Sequence, residues 1–380
     1  MARFIKTLAL FVLPLAVVFS FPVVVFIKSG ELYSLPEVEH LANTTPVLFG
    51  AAYSNFLQEY KFEMTQMRRP QVLALGSSRV GAFNSRFFKH PETFYNATGD
   101  VLAFSDFQNY VDGLSQKPSI IIVGMDQYFF NPARPIDDIL ERPNPFTTHV
   151  SAQDIVIEGM FGQGGWWRVY SDYAQGKFTL GELFAPRHMS TIGLRAYAGD
   201  GHVNDGSHYP GNIDTDPQAE QHITDTIAAL VASINDTDGA EYGPSITPHA
   251  LVQLRALLHD CQEKGIVVVG FLPPFAHAAY QALLAHPNAP YAKTFKTLPG
   301  VLASIYREYG FGFYDYSDPA FVSGSDKEMV ESKHGSEKLY ARIVLDMARR
   351  SGVIAPLVDA PMLQKQLKAA TSSYMLYSLQ

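Results

Sequence analysis

Ser119-Ile120-Ile121-Ile122-Val123-Gly124 narrows the possible folds of this 380-residue chain more than any other stretch. An unbroken β-branched run of strand length offers no polar face to water. It must be covered on both sides, as a central strand of a parallel sheet is. Parallel neighbours need crossover connections, and helices supply them. The remaining sequence fits that demand. Strand-like runs occur at Val72–Leu75, at Thr93–Thr98 with Gly99-Asp100 as its stop, at Gly265–Phe271 and at Gly312–Tyr316. Between them, Val101–Leu114 (Leu102, Phe104, Phe107, Tyr110, Val111, Leu114), Pro248–Lys264, residues 276–308 and Ser336–Ser351 place apolar residues at helical spacing. Thr247 suits an N-cap and Pro248 the first helical position. The expected fold class is α/β, a doubly wound parallel sheet of about five strands over residues 70–350. Phe49–Met67 reads as a helix within a lead-in over 29–69. Residues 132–245, rich in Gly, Asp, Tyr and Trp, show no strand–helix alternation and are expected to be an insertion after the third strand. Residues 351–380 form a C-terminal tail.

The N-terminus carries a different constraint. Thr7–Ile27 is 21 residues without a charge, nearly all Leu, Val, Phe or Ala. At about 1.5 Å per residue that length matches the hydrocarbon core of a bilayer. Arg3 and Lys6 precede it, which by the positive-inside tendency leaves the N-terminus cytoplasmic and the rest outside. A cleaved signal peptide is the rival, but no small-x-small site closes the run. The expectation is an uncleaved signal anchor over residues 1–28. The chain would then be single-pass in a bacterial inner membrane, with its globular part in the periplasm or outside.

Composition removes several classes. A net charge of −8 leaves no basic footprint for nucleic acid. The single Cys261 excludes an internal disulfide framework, and its helical setting suits a packed thiol. No Walker-type or dinucleotide-type glycine loop is present, so no cofactor is expected.

Chemistry concentrates at two places. Gln71-Val72-Leu73-Ala74-Leu75-Gly76-Ser77-Ser78-Arg79-Val80-Gly81 is a strand that breaks at a glycine before two serines. Val80, Phe83, Phe87 and Phe88 then suit a helix. A hydroxyl there stands at the carboxyl edge of the sheet, beside N–H groups at a helix start that favour negative charge. The serines are either a helix cap or a nucleophile. Far downstream, Glu331-Ser332-Lys333-His334 sets an acid three residues before a histidine, in a loop after the last strand and so at the same edge. An imidazole there can take the serine proton, with a carboxylate fixing its tautomer. Asp326 is the alternative orienter.

These residues give the chain a resemblance. Gly76-Ser77-Ser78-Arg79 resembles the first block of the SGNH (GDSL-like) hydrolase superfamily, with Ser78 at the nucleophile position and Ser77 where many members have Asp. Asn96-Ala97-Thr98-Gly99 resembles the second block, Val123-Gly124-Met125-Asp126 the third, and Glu331-x-x-His334 the fifth, usually Asp-x-x-His. The similarity covers residues 70–130 and 265–350. It implies Ser78 as nucleophile, His334 as base, Glu331 as orienter and the Gly99 N–H at the oxyanion. The Gly-Ser-Ser form with an N-terminal anchor is most similar to extracytoplasmic proteins of polymer D-alanylation and alginate O-acetylation, partners of membrane-bound O-acyltransferases. That implies a serine-type O-acyltransferase or esterase acting on a cell-envelope glycan, or a non-catalytic partner of such an acyltransferase. The third block usually has Asn, whereas an ionised Asp126 only accepts hydrogen bonds. Either Asp126 is protonated, or Gln127 substitutes, or the backbone N–H groups of Ser78 and Gly99 act alone.

Two other stretches admit functional readings. Asp200-Gly201-His202-Val203-Asn204-Asp205-Gly206-Ser207-His208 has metal-binding residue types but no zinc-like spacing, so no metal is expected. Trp166-Trp167, with Arg168, Tyr170 and Tyr173, suits either sugar stacking or a local core.

Overall fold

The β-branched run lies at the centre of the larger of two sheets. The computed structural model describes residues 1–54, 56–99, 101, 103–133, 144, 146, 150–162, 165–211, 213–234 and 243–379. Asp100, expected to stop a strand, and Leu102, expected on a helix face, lie outside the described residues, as does part of the insertion. The larger sheet comprises β2 (Val72–Leu75), β3 (Phe94–Asn96), β4 (Ile120–Gly124), β8 (Val267–Leu272) and β9 (Gly312–Asp315). Their order is β3-β2-β4-β8-β9 and every pairing is parallel. Register runs straight across the centre, with Ile122 opposite both Ala74 and Val269.

Alternation along these strands divides the core in two. Leu73, Leu75, Ile121, Val123 and Val268 pack with Phe107, Tyr110, Leu254, Leu257 and Leu302 on one face. Val72, Ala74, Ile122, Val269 and Phe271 pack with Phe83, Phe87, Leu339, Ile343 and Val344 on the other. Helices thus cover both faces, which is why the strands read as continuous apolar runs. The expected helices occupy Phe104–Gly113, Pro248–Glu263, His277–Leu284 with Ala289–Glu308, and Glu337–Arg350. Ser336 caps the last by accepting from Leu339 N–H at 3.2 Å. Cys261 is buried, and burial pushes its thiol up to about 12.

The connection after β2 departs from expectation. No α-helix follows; Ser78–Val80 and Ser85–Phe87 are single 3-10 turns, and Phe83, Phe87 and Phe88 are buried from a loop. Val80 wedges between the ends of β2 and β4, where a Cβ on Gly124 would collide with it and one on Gly76 would lie 2.7 Å from its Cγ2. Those two glycines let the loop sink into the sheet.

The second sheet was not legible. Its strands β1 (Val47–Phe49), β5 (Ser190–Ile192), β6 (Asp200–Val203) and β7 (His208–Pro210) run in the order β5-β1-β6-β7. Phe49 therefore lies in a strand, the helix expected over Phe49–Met67 occupies Leu57–Arg68, and a second lead-in helix spans Leu35–Thr44. Lead-in and insertion, expected as separate segments, share this sheet.

The N-terminal helix spans Ala2–Ser29 with Pro14 and Pro22 inside it. Among the described residues no single helix is long and apolar enough to cross a membrane. Lys6–Pro14 and Val18–Ser29 meet the test together but are bent by 50°. Val25 and Phe26 are buried against Tyr53, Val169 and Leu194. Trp166 packs on Phe19 at 4.4 Å and Tyr170 on Phe21 at 5.1 Å, so the aromatic cluster of the insertion is local packing against this helix.

Candidate active site

Ser77 and Ser78 divide the two roles that the sequence left open between them. Buried Ser77 is the cap: its Oγ accepts from Arg79 N–H at 3.2 Å. Ser78, between two buried neighbours, is exposed, and its Oγ lies 2.9 Å from His334 Nε2 across 256 residues of chain. His334 Nδ1 lies 2.5 Å from Glu331 Oε1, which also accepts from Lys333 N–H at 3.0 Å. Burial opposes ionisation of Glu331, but the bond to His334, its charge and the Lys333 N–H outweigh it and hold the carboxyl at about 2. A carboxylate fixed on Nδ1 leaves Nε2 to face the hydroxyl, the arrangement in which a serine can be deprotonated. Asp326, the alternative orienter, is committed elsewhere: it accepts from His277 N–H at 2.5 Å and Ala278 N–H at 3.3 Å, at the start of the helix His277–Leu284.

Sheet topology explains why these groups meet. In the order β3-β2-β4, the crossovers from β2 and β4 leave in opposite directions, and the crevice between their carboxyl ends is where open α/β sheets place their sites. Ser78 stands in that crevice. His334 reaches it from the loop following β9.

Arg79 locks the two loops together, and sequence reasoning passed over it. Buried, it donates from Nε to the Lys333 carbonyl at 3.0 Å and from Nη2 to the Pro273 and Pro274 carbonyls at 2.9 and 2.8 Å. Its Nη1 donates to Asp126 Oδ1 and Gln127 Oε1, both at 2.8 Å, and its guanidinium lies 4.3 Å from the Phe275 ring centroid. One side chain therefore ties the serine turn to the ends of β4 and β8 and to the histidine loop. The legible signal was a charge at each of two adjacent strand ends, Arg79 and Asp126, in otherwise apolar surroundings.

This network corrects the oxyanion expectation. Asp126 and Gln127 are 0 % and 2 % exposed, accept from Arg79 and do not line the cavity at Ser78. Neither is a donor to that cavity. Gly99 does line it, with φ +143°, and its N–H donates to the Gly76 carbonyl at 3.3 Å. A parallel bridge between Ser77 and Gly99 keeps the β2–β3 register three residues past its last pair, Ala74 and Asn96. Asn96 sets the loop beneath: its Nδ2 donates to the carbonyls of Val80, Gly81 and Phe83 at 3.2, 3.1 and 2.9 Å.

The cavity holds about 330 Å³, and the insertion builds its far wall. His208 N–H donates to the Gly81 carbonyl at 2.8 Å, pinning the β6–β7 hairpin to the loop that carries Ser78. Asp200 receives His208 Nε2 at 2.7 Å and Arg195 Nη2 at 2.6 Å. Burial opposes its ionisation, but His208 and Arg195 bring it to about 2. Desolvation, then Lys61, pushes His202 well below its usual value and keeps it neutral. Among the described residues no group of three His, Cys, Asp or Glu side chains is placed to hold a metal ion. In the stretch weighed as a metal loop, Asp200 binds His208 and Asp205 accepts from Ser207 and Ser85 N–H. Arg195, His208, Pro210, Val330 and Glu331 also bound a second concavity of about 750 Å³, which runs beside the helix Ala219–Ser233.

Comparison with family models, with curated proteins and with solved structures returns no match.

Proposed function

We propose that this protein is an SGNH-type serine O-acyltransferase that moves acyl groups on a cell-envelope glycan from the outer face of a bacterial inner membrane. The observation that carries it is the chain Ser78 Oγ–His334 Nε2 and His334 Nδ1–Glu331 at the switch point of a parallel sheet. Ser78 attacks an acyl carbonyl while His334 takes its proton. The alcohol of the donor leaves with that proton, and an acyl-serine remains. A hydroxyl of the acceptor then repeats the sequence in reverse.

Two features support transfer over simple hydrolysis. The second concavity opens beside Glu331 and gives an acceptor chain a bed contiguous with the acyl site. The exposed apolar run of the N-terminal helix, with Leu10, Phe11 and Leu13 outward, suits a membrane anchor, and Trp166, Trp167 and Tyr170 beside it suit an interfacial belt. An anchored body meets a membrane-bound O-acyltransferase, the partner we propose, at an effective concentration of about millimolar.

A fluorophosphonate probe applied to the full chain tests this. Labelling should fall on Ser78, vanish in Ser78→Ala and drop at least tenfold in His334→Ala, because the hydroxyl is a weak nucleophile without its base. An unlabelled wild type would overturn the enzyme and favour a non-catalytic partner of the acyltransferase.

A further inference from the structure

The tetrahedral intermediate at Ser78 needs a donor for its oxyanion, and the position where the resemblance implies one is occupied otherwise. Asp126 neutralises Arg79 beneath the cavity, and Gln127 is turned to the same guanidinium. The Gly99 N–H is engaged by Gly76. The Ser78 N–H, the other backbone donor that the resemblance implies, makes no hydrogen bond among the described residues, and beside it one polar side chain that lines the cavity is without a partner. Thr98 is 1 % exposed and lines the cavity with Ser78 and Gly99, and its Oγ1 makes no hydrogen bond among the described residues. Its backbone is fixed, since its N–H donates to Asn96 Oδ1 at 3.0 Å. A Cβ on Gly81 would lie 3.0 Å from the Ser78 carbonyl oxygen and 3.7 Å from Thr98 Oγ1, so the buried hydroxyl packs beside Gly81, at the end of the turn that begins at Ser78. Buried hydroxyls normally find partners, and one left unpaired destabilises the fold.

We propose that Thr98 Oγ1–H is an oxyanion donor for the Ser78 reaction, which rests on the acyl-transfer reading above. As Ser78 Oγ bonds to the carbonyl carbon, its proton passes to His334 Nε2. The carbonyl π pair moves onto oxygen, and that alkoxide accepts the Thr98 hydrogen bond. When the carbonyl re-forms, the leaving alkoxide departs with the proton from His334, and the Thr98 contact relaxes. A donor realised only in the charged state lowers the barrier without tightening substrate binding.

The test compares Thr98→Val, Thr98→Ser and wild type as full chains, by kcat and KM on an activated acetyl ester, labelling rate and melting temperature. Thr98→Val keeps the shape and removes the donor, so kcat should fall about 100-fold with KM nearly unchanged. Its melting temperature should hold or rise, because an unpaired buried hydroxyl becomes a methyl. Thr98→Ser should retain kcat within a few-fold. Wild-type kcat in Thr98→Val overturns the proposal while leaving the serine enzyme intact. Equal losses in Val and Ser variants, with a lower melting temperature, overturn it in favour of a packing role. No Ser78-dependent turnover in the wild type sinks it together with the acyl-transfer reading.

Discussion

Asp126 shows how one residue changes meaning with its neighbour. Placed by sequence beside a reacting serine, it would be an acceptor where a donor is needed. Placed by the fold, it is the counter-charge of a buried arginine with side-chain exposures of 2 % and 0 % for the pair. Removing one partner of a buried ion pair leaves the other charge uncompensated, at a cost of about 3–5 kcal/mol. Asp126→Asn should therefore lower unfolding free energy by about 3 kcal/mol in a denaturant titration and should not raise ester hydrolysis. A gain in hydrolysis would place residue 126 at the oxyanion after all. Arg79 itself was passed over because its worth lies in five acceptors scattered over three loops. Ser77 and Ser78 were inseparable in sequence for a related reason: whether a hydroxyl caps its own turn or meets a histidine depends on the rotation of one short turn.

Among the elements, the N-terminal helix serves two purposes along its length. Its first half exposes Phe4, Leu10, Phe11 and Leu13, whereas Val25 and Phe26 are fully buried against Tyr53, Val169, Phe178, Leu183 and Leu194. Glu31, just beyond, is buried and accepts from the N–H groups of Ala52, Tyr53 and Leu194 at 2.8, 3.2 and 2.6 Å, stitching the helix end to that body. The expected boundary at residue 28 thus cuts through a core. Deleting residues 1–17 behind a cleavable signal peptide should release a folded protein with an unchanged melting temperature. Deleting 1–28 should cost about 3 kcal/mol or more, since Phe26 alone is a large buried aromatic. Equal stability of the two truncations would refute the packing role. The loop after β2 taught a further lesson: spaced phenylalanines imply a buried face, but Gly81 and the Asn84 cap turn the chain through 3-10 turns, and Asn96 supplies the partners its carbonyls lack.

At the level of the whole molecule, the site couples to acid stability. Glu331 and Asp200 are held at about 2 in the fold, against ordinary values of 4.5 and 3.8. Between those values the unfolded chain binds more protons than the folded one, so these two groups make stability rise with pH. Their contribution is complete above about pH 5 and disappears as pH falls through 2. The stability gap between wild type and the Glu331→Gln, Asp200→Asn double variant should shrink steadily on acidification over that window. A gap independent of pH would mean that the two carboxylates are not held by His334 and His208 in solution.

What the sequence by itself determined were features whose physics is local. A β-branched run cannot be anything but covered, so the five parallel strands and the helices after all of them but β2 could be read in order. An acid three residues before a histidine puts a carboxylate within its reach, though Asp326 stayed the alternative until the fold placed it at His277, and the glycine break before Ser78 already ends a strand. Tertiary structure decided whatever depends on partners distant in the chain. The second sheet joins Val47–Phe49 to strands more than a hundred residues away, and strands of three or four residues carry too little pattern to announce themselves. The hairpin carrying His208 reaches the serine loop through the bond of His208 N–H to Gly81 and that of Ser85 N–H to Asp205. The charge of Asp126 and the unpaired hydroxyl of Thr98 acquired their roles only when burial removed water as an alternative partner, because only then does each polar group have to be accounted for within the protein.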